Sequence, residues 1–178
     1  MRLFTAITIP EKQREKIYAE LIQELPEQMK AVEKQNIHLT LVFIGEKNTA
    51  EAKNIQEKLS KIKHHSFQIT LCGIGCFGSR VMWLGAKEGE KEITQLAEKI
   101  FAELKIPKEQ VVAHATLARN KKASPKEFFG AKNNLSEKKF STSFEATGFV
   151  LVKSSLTKDG PIYEEFPEIT FSKRDSGS

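Results

Sequence analysis

With only two cysteines in 178 residues, the chain cannot build a disulfide framework. Its longest apolar stretches are a few residues, as in Phe149-Val150-Leu151-Val152, against the roughly 20 that cross a bilayer, which excludes a helical membrane span. The opening Met1 to Pro10 alternates and soon turns charged, unlike the continuous apolar core of a secretory signal. No Pro/Gly-rich or single-sign tract dominates, and 39% hydrophobic with 29% charged residues is enough to bury an interior, so general disorder is excluded as well. These absences predict a cytoplasmic protein with reduced thiols, built as one domain or as two small lobes sharing a core.

Aspartate and arginine are also scarce: 23 of the 28 cations are Lys and 21 of the 23 anions are Glu. This composition suits solvated helix faces and occurs in heat-adapted proteins. A net charge of +5 and a pI near 9.1 are compatible with a polyanionic partner such as RNA, although charge alone does not select one.

Periodicity supplies the elements. Residues 2–9 alternate as a strand with apolar character on both faces, stopped by Pro10. Ile17, Tyr18, Leu21, Ile22 and Leu25 place a surface helix from Glu11 to about Leu25. Ile37 to Ile44 reads as a second strand ended by Gly45, and Thr49 as the cap of a helix whose stripe is Ala52, Ile55, Leu59 and Ile62. Phe67–Cys72 and Arg80–Ala86 read as strands around a glycine-rich connection, followed by a helix through Ile93, Leu96, Ala97, Ile100 and Leu104 that Pro107 closes. Val111–Ala118 is a strand, 121–136 a polar irregular segment with at most a helical turn, Phe144–Lys153 one long strand and Ile162–Phe171 the last. Helices among hairpin-like strands predict an α+β fold with mostly antiparallel sheet. No linker divides residues 1–172, and the tail 173–178, with nothing to bury, is expected to be flexible.

The most informative feature is a repeat. His38-Leu39-Thr40-Leu41 returns 76 residues later as His114-Ala115-Thr116-Leu117. On a strand, side chains two apart share a face, so each tetrapeptide offers one imidazole and one hydroxyl on the same side. For one histidine the plainer reading is a half-buried strand residue satisfied by a backbone group. Recurrence with the same threonine points instead to one shared task. If two lobes pack about a pseudo-twofold axis, both imidazoles enter a single cleft. Near neutral pH one can be a base and the other an acid across a phosphorus atom, with the hydroxyls donating to its non-bridging oxygens and no metal required.

At this point the sequence resembles the two-histidine phosphoesterase superfamily, in its bacterial and archaeal RNA 2′,3′-cyclic phosphodiesterase branch, historically called 2′-5′ RNA ligase. The resemblance runs nearly end to end: Arg2-Leu3-Phe4, the segment Asn36 to Gly45, Arg80-Val81-Met82-Trp83-Leu84-Gly85, His114 to Arg119, and Ser154-Ser155-Leu156-Thr157 with Gly160-Pro161-Ile162-Tyr163. It implies a bilobal α+β fold, with two pseudo-symmetric, mostly antiparallel sheets lining a central cleft and helices outside. It implies metal-independent opening of an RNA 2′,3′-cyclic phosphate to a 2′-phosphomonoester, no cofactor, and 2′-5′ ligation as an associated activity. It also implies His38 and His114 as the catalytic pair, Thr40 and Thr116 as phosphate clamps and Arg119 as a further substrate contact. The expected partner is RNA or a nucleotide with a cyclic phosphate end, with no membrane and no obligate protein partner. Ala113 and Ala115 depart from the family's usual proline and larger apolar residue around the second histidine, which implies a different cleft wall. The alternatives are a nucleotide or RNA binding module with little turnover, or a phosphodiesterase for small cyclic nucleotides or 2′-5′ oligonucleotides.

Other patterns compete. Gly73-Ile74-Gly75-Cys76-Phe77-Gly78 matches G-x-G-x-x-G, but strand-like residues follow where a dinucleotide fold needs a helix; the glycines read as a turn with close backbone approach. Cys72, Cys76, His64 and His65 fit no common zinc spacing and read as buried thiols and a solvated histidine pair. Arg119 lies an odd number of positions beyond His114, hence on the opposite face of an unbroken strand, unless the strand bends and carries it to a phosphate. Lys121 and Lys122, with Lys132, Lys138 and Lys139, are candidates for an RNA-facing rim or for an ordinary wet surface. Phe43, Phe77 and Trp83 read as core aromatics before base-stacking platforms, and Tyr163 is left open.

Overall fold

The alternating first segment forms β1 (Arg2–Thr8), and Pro10, with its fixed φ, leads into α1 (Glu11–Glu20). The computed structural model describes residues 1–158 and 160–174. After α1 come β2 (Met29–Ala31), β3 (His38–Glu46), α2 (Thr49–Leu59), β4 (Phe67–Phe77), β5 (Val81–Glu88) and α3 (Glu90–Leu104). Then follow β6 (His114–Asn120), α4 (Pro125–Glu137), β7 (Ser141–Ala146), β8 (Gly148–Leu156), β9 (Pro161–Glu165) and β10 (Ile169–Thr170). No helix among the described residues is long and apolar enough to cross a membrane. Of the expected tail, residues 175–178 lie outside the described residues.

Several boundaries differ from the sequence reading for local reasons. The first helix stops at Glu20, and Ile22–Glu24 tighten into a 3₁₀ turn. Asn48, not Thr49, caps α2: its side chain accepts from the Glu51 N–H while Glu51 reaches back to the Asn48 N–H. The glycine-rich connection is part of β4 itself, which runs through Gly73 and Gly75 and turns only at Gly78, whose φ is +55°. The strand expected from Val111 begins at His114. The long strand from Phe144 is two, since the chain breaks between β7 and β8, and the last strand is likewise β9 and β10. The segment read as irregular contains α4, closed by a capping box between Ser124 and Glu127 with Pro125 in the first turn. Ser124→Ala removes that reciprocal pair and is expected to lower stability by about 0.5–2 kcal/mol. Thermal denaturation measures this, and an unchanged Tm would show that α4, with its fully buried Phe128, is held by packing alone.

The strand order is β10-β8-β1-β3-β6-β5-β4-β7, with β2 added to β6 and β9 to β8, and every one of these pairs is antiparallel. The two expected sheets are therefore halves of one path, joined where β3 meets β6 at the pair Leu39 and Ala115. A β-α-β-α-β order occurs twice, as β1-α1-β3-α2-β4 with the short β2 intervening and as β5-α3-β6-α4-β8 with β7 intervening. Each repeat gives its last strand to the other half: β4 lies on β5, and β8 lies on β1.

Helices cover one face of this sheet. Ile17, Leu59, Ile93, Leu96, Ile100 and Phe128 pack with Leu39, Leu41, Ala115 and Leu117 in a single core. On the other face Phe4, Ala6, Val150 and Val152 form a smaller cluster covered by Tyr163. His38, Thr40, His114 and Thr116 alternate with core residues, so they project away from the helices, onto the uncovered face.

Candidate active site

β3 and β6 each begin at a histidine, and in each the leucines or alanine of the tetrapeptide are buried while the imidazole and hydroxyl are half-exposed. The strands meet antiparallel at Leu39 and Ala115, the residue between His and Thr in both copies. A pseudo-twofold axis through that pair exchanges His38 with His114 and Thr40 with Thr116. The same ladder sets the two imidazoles diagonally across the junction, a relation that places side-chain origins on the order of 7–8 Å apart. His38 and His114 are near enough to interact, since His114 is one of the charges that lower the proton affinity of His38.

Both rings are held by the same device. His38 Nδ1 lies 2.7 Å from the Asn36 carbonyl, and His114 Nδ1 lies 2.6 Å from the Val112 carbonyl. A carbonyl only accepts, so Nδ1 carries the proton in each and Nε2 is the nitrogen that titrates. His38 Nε2 is 2.9 Å from the Thr40 hydroxyl, which donates to it when the ring is neutral. Burial is the main cause that pushes both imidazoles below the ordinary histidine value. The backbone carbonyls oppose it; His114 adds to the depression of His38, and the Arg119 cation to that of His114.

Aromatic rings wall each imidazole. Phe4 stacks on His38 at 5.1 Å and Tyr163 meets it edge-on at 5.4 Å, whereas Phe77 stands edge-on to His114 at 5.1 Å with Trp83 at 5.7 Å. Phe77 at 38% and Phe43 at 65% exposure are not core residues, contrary to the sequence reading. Burial raises the Tyr163 hydroxyl pKa, and Arg119 opposes that shift from close by.

Alternation sets Arg119 on the face away from His114 only in an unbroken strand, and a β-bulge interrupts β6 before it. Met82 pairs with Ala118 but Trp83 pairs with Thr116, which leaves Leu117 as an extra residue. Thr5 and Ala6 skip Leu41 of β3 in the same way. One extra residue inverts the alternation beyond it, so Arg119 and its counterpart Phe43, each five positions after a histidine, return to the imidazole face.

The remaining candidates separate from this cluster. Lys132 lies in α4 and Lys138 and Lys139 directly follow it, in the helical layer across the sheet from the imidazoles, and Lys138 pairs with Glu24 at 3.7 Å. Lys121 and Lys122 do follow Arg119, their backbone N–H groups both donating to the Gln28 carbonyl at 3.1 Å. Cys72 and Cys76 are half-buried rather than buried. His65 is exposed, but His64 is not a solvated residue: its ring packs edge-on against Phe67 and Phe171, and burial pushes its pKa down to about 4. Ala115 faces the core, so its small size shapes the junction of the halves and not the cleft wall.

The internal duplication also decides the ancestry, because the profile of the LigT-like phosphoesterase family matches residues 7–83 and again 84–163. The chain belongs to the LigT-like phosphoesterase family. This LigT-like phosphoesterase is 37% identical over 175 residues to the RNA 2′,3′-cyclic phosphodiesterase of Archaeoglobus fulgidus, covering 93% of this chain and 97% of that one. It is 35% identical over 180 residues to the protein of the same name from Methanocaldococcus jannaschii, covering 94% and 99%. It also resembles the crystal structure of Escherichia coli LigT complexed with ATP, with a TM-score of 0.76 and 28% identity over 96% of this chain and 98% of that one. The repeated tetrapeptide of this LigT-like phosphoesterase was legible in sequence; the part played by Phe4 was not, because its contact with His38 depends on the register of β1 against β3. Tyr163 has a weak signal in its place within the hairpin Ser154 to Tyr163, which the resemblance had marked.

Proposed function

We propose that the chain hydrolyses RNA 2′,3′-cyclic phosphate ends to 2′-phosphomonoesters without a metal ion, working as one bilobal unit over residues 1–172. The observation that carries this reading is the pair of His-x-Thr strands joined at Leu39 and Ala115, with both Nδ1 atoms tied to backbone carbonyls and both Nε2 atoms left to exchange protons. The names of the Archaeoglobus and Methanocaldococcus relatives support the substrate.

In this mechanism a water attacks phosphorus in line with the bond to O3′. His114 Nε2 takes the water's proton, the P–O3′ bond breaks, and His38 Nε2 gives its proton to the departing O3′, leaving the phosphate on O2′. The Arg119 cation lowers the proton affinity of His114, which suits the base. Once His114 is neutral its charge no longer opposes a proton on His38, which suits the acid. Thr40, Thr116 and Arg119 donate to the non-bridging oxygens, where negative charge gathers in the transition state. With a 5′-hydroxyl in place of the attacking water, the same displacement of O3′ joins RNA ends through a 2′-5′ linkage.

The test is incubation of an oligoribonucleotide ending in a 2′,3′-cyclic phosphate with the protein in EDTA, followed by identification of the terminal phosphate. A 2′-phosphate formed at undiminished rate in chelator is expected. A 3′-phosphate, or activity only with added divalent metal, defeats the reading, and binding without product selects a binding module. A second reading, action on small nucleotides, draws on the E. coli LigT complexes with ATP and 3′-AMP; faster turnover of a cyclic mononucleotide than of the oligonucleotide would select it.

A further inference from the structure

The glycine motif of β4 has no part in the chemistry above, yet it lies against one of the two imidazoles. Gly75 pairs across strands with Trp83, and Trp83 pairs on its other side with Thr116. A Cβ added at Gly75 would fall 2.1–2.4 Å from three carbons of the Trp83 six-membered ring. The indole therefore lies flat on the glycine backbone, and no other residue fits beneath it. Gly75 is not among the positive-φ glycines, so it is the missing side chain that matters there, not an unusual backbone. Gly85, which pairs with His114, extends the same bed: a Cβ there would lie 3.4 Å from the indole.

The indole in turn sits 5.7 Å from the His114 ring, and Phe77 leans on both, 5.6 Å from Trp83 and 5.1 Å from His114. With Nδ1 tied to the Val112 carbonyl, the imidazole has aromatic walls on two sides and a single orientation. The indole Nε1 is buried with no hydrogen-bond partner among the described residues. A buried donor left unpaired is a cost, so the tryptophan contributes here through its area and shape and not through a hydrogen bond. The other half of the molecule solves the same problem differently: Ala6 occupies the register position of Trp83, opposite Thr40, and the rings over His38 come from Phe4 and Tyr163.

We infer that Gly75 and Trp83 form a positioning unit for His114, in which the glycine seats the indole and the indole fixes the imidazole and keeps water from one side of it. The functional part of this inference rests on His114 acting in proton transfer, as proposed above. Burial is the chief reason that His114 binds its proton weakly, and removing the indole returns water to the ring, which lets the pKa climb toward about 6.5.

The experiment compares wild type with Trp83→Ala, Trp83→Phe, Gly75→Ala and the double variant Trp83→Ala/Gly75→Ala. Each is followed by NMR titration of the histidine ring protons and by kcat and KM on the cyclic-phosphate oligonucleotide. Trp83→Ala is expected to raise the His114 titration midpoint, to move that of His38 only downward, through the His114 charge that then persists to higher pH, and to lower kcat by about tenfold with KM little changed, a fraction of the roughly 10²–10⁴ that a proton-transfer group supplies. Trp83→Phe, which keeps a ring, restores most of both. Gly75→Ala reproduces Trp83→Ala because its new Cβ displaces the ring. In the Trp83→Ala background it has no further effect, since nothing is left to displace. An unmoved His114 titration in folded Trp83→Ala, or a Gly75→Ala effect of equal size with and without the indole, overturns the inference. A moved titration at unchanged kcat leaves the seat in place and defeats the catalytic reading of His114 instead.

Discussion

His38→Ala and His114→Ala are each expected to lower kcat by about 10²–10⁴, the usual worth of a positioned acid or base, with the fold intact. Both rings lie on the uncovered face of the sheet, outside the helix-packed core, so truncation leaves no cavity in that core and Tm and the far-ultraviolet spectrum stay near wild type. Because the two act on one proton inventory, the double variant is expected to be little worse than either single one. Steady-state rates on the cyclic-phosphate oligonucleotide measure this, and a folded alanine variant retaining wild-type kcat ends the assignment of that histidine.

The same pair predicts a bell-shaped pH dependence whose position follows from burial. Both imidazoles bind protons more weakly than an exposed histidine, so in the free enzyme each loses its proton below about pH 6.5. The singly protonated pair is then most populated below that pH, which puts the optimum of kcat/KM there. A bound phosphodiester anion favours the imidazolium, so the alkaline limb of kcat lies at higher pH than that of kcat/KM. A profile flat from pH 5 to 9 contradicts the two-histidine mechanism.

What could be read from the sequence, and what could not, divides along the range of the interactions involved. The His-x-Thr pairs were legible because alternation on a strand is a local property, and the α+β class because helical and strand periods are as well. α4 was hidden by polar composition: Lys126, Lys132, Asn133 and Asn134 dilute a stripe whose buried members are Phe128 and Leu135. Its signal was the cap, Ser124 with Glu127 three residues on and Pro125 between. The bulges at Leu41 and Leu117 leave no mark in either tetrapeptide, because an extra residue exists only relative to a partner strand. Arg119 and Phe43 could therefore not be placed by counting. The exchange of β4 and β8 between the halves is equally non-local, and it is what brings Gly75 under Trp83 and Val150 beside Phe4.

The separation of the two imidazoles depends on the junction between the halves, and Ala115→Leu is the substitution expected to disturb it most. Ala115 is fully buried, with fully buried Leu39 across one strand boundary and fully buried Leu84 across the other. Three further carbons there have no space, and overpacking of this kind costs about 1–3 kcal/mol. Strain at this point acts on the register of β3 against β6, which among the described residues is the only ladder connecting His38 to His114 directly. A shift of about 1 Å between reacting groups is worth roughly 10² in rate, so kcat is expected to fall by about that factor even in protein that remains folded. Leu39→Ala introduced into the Ala115→Leu background returns the volume to the same pair from the other side. Recovery of both Tm and kcat in that double variant is the expected result, because the halves can then close to their original distance. Recovery of Tm alone would mean that the junction sets stability while the imidazoles are spaced by the walls around each ring.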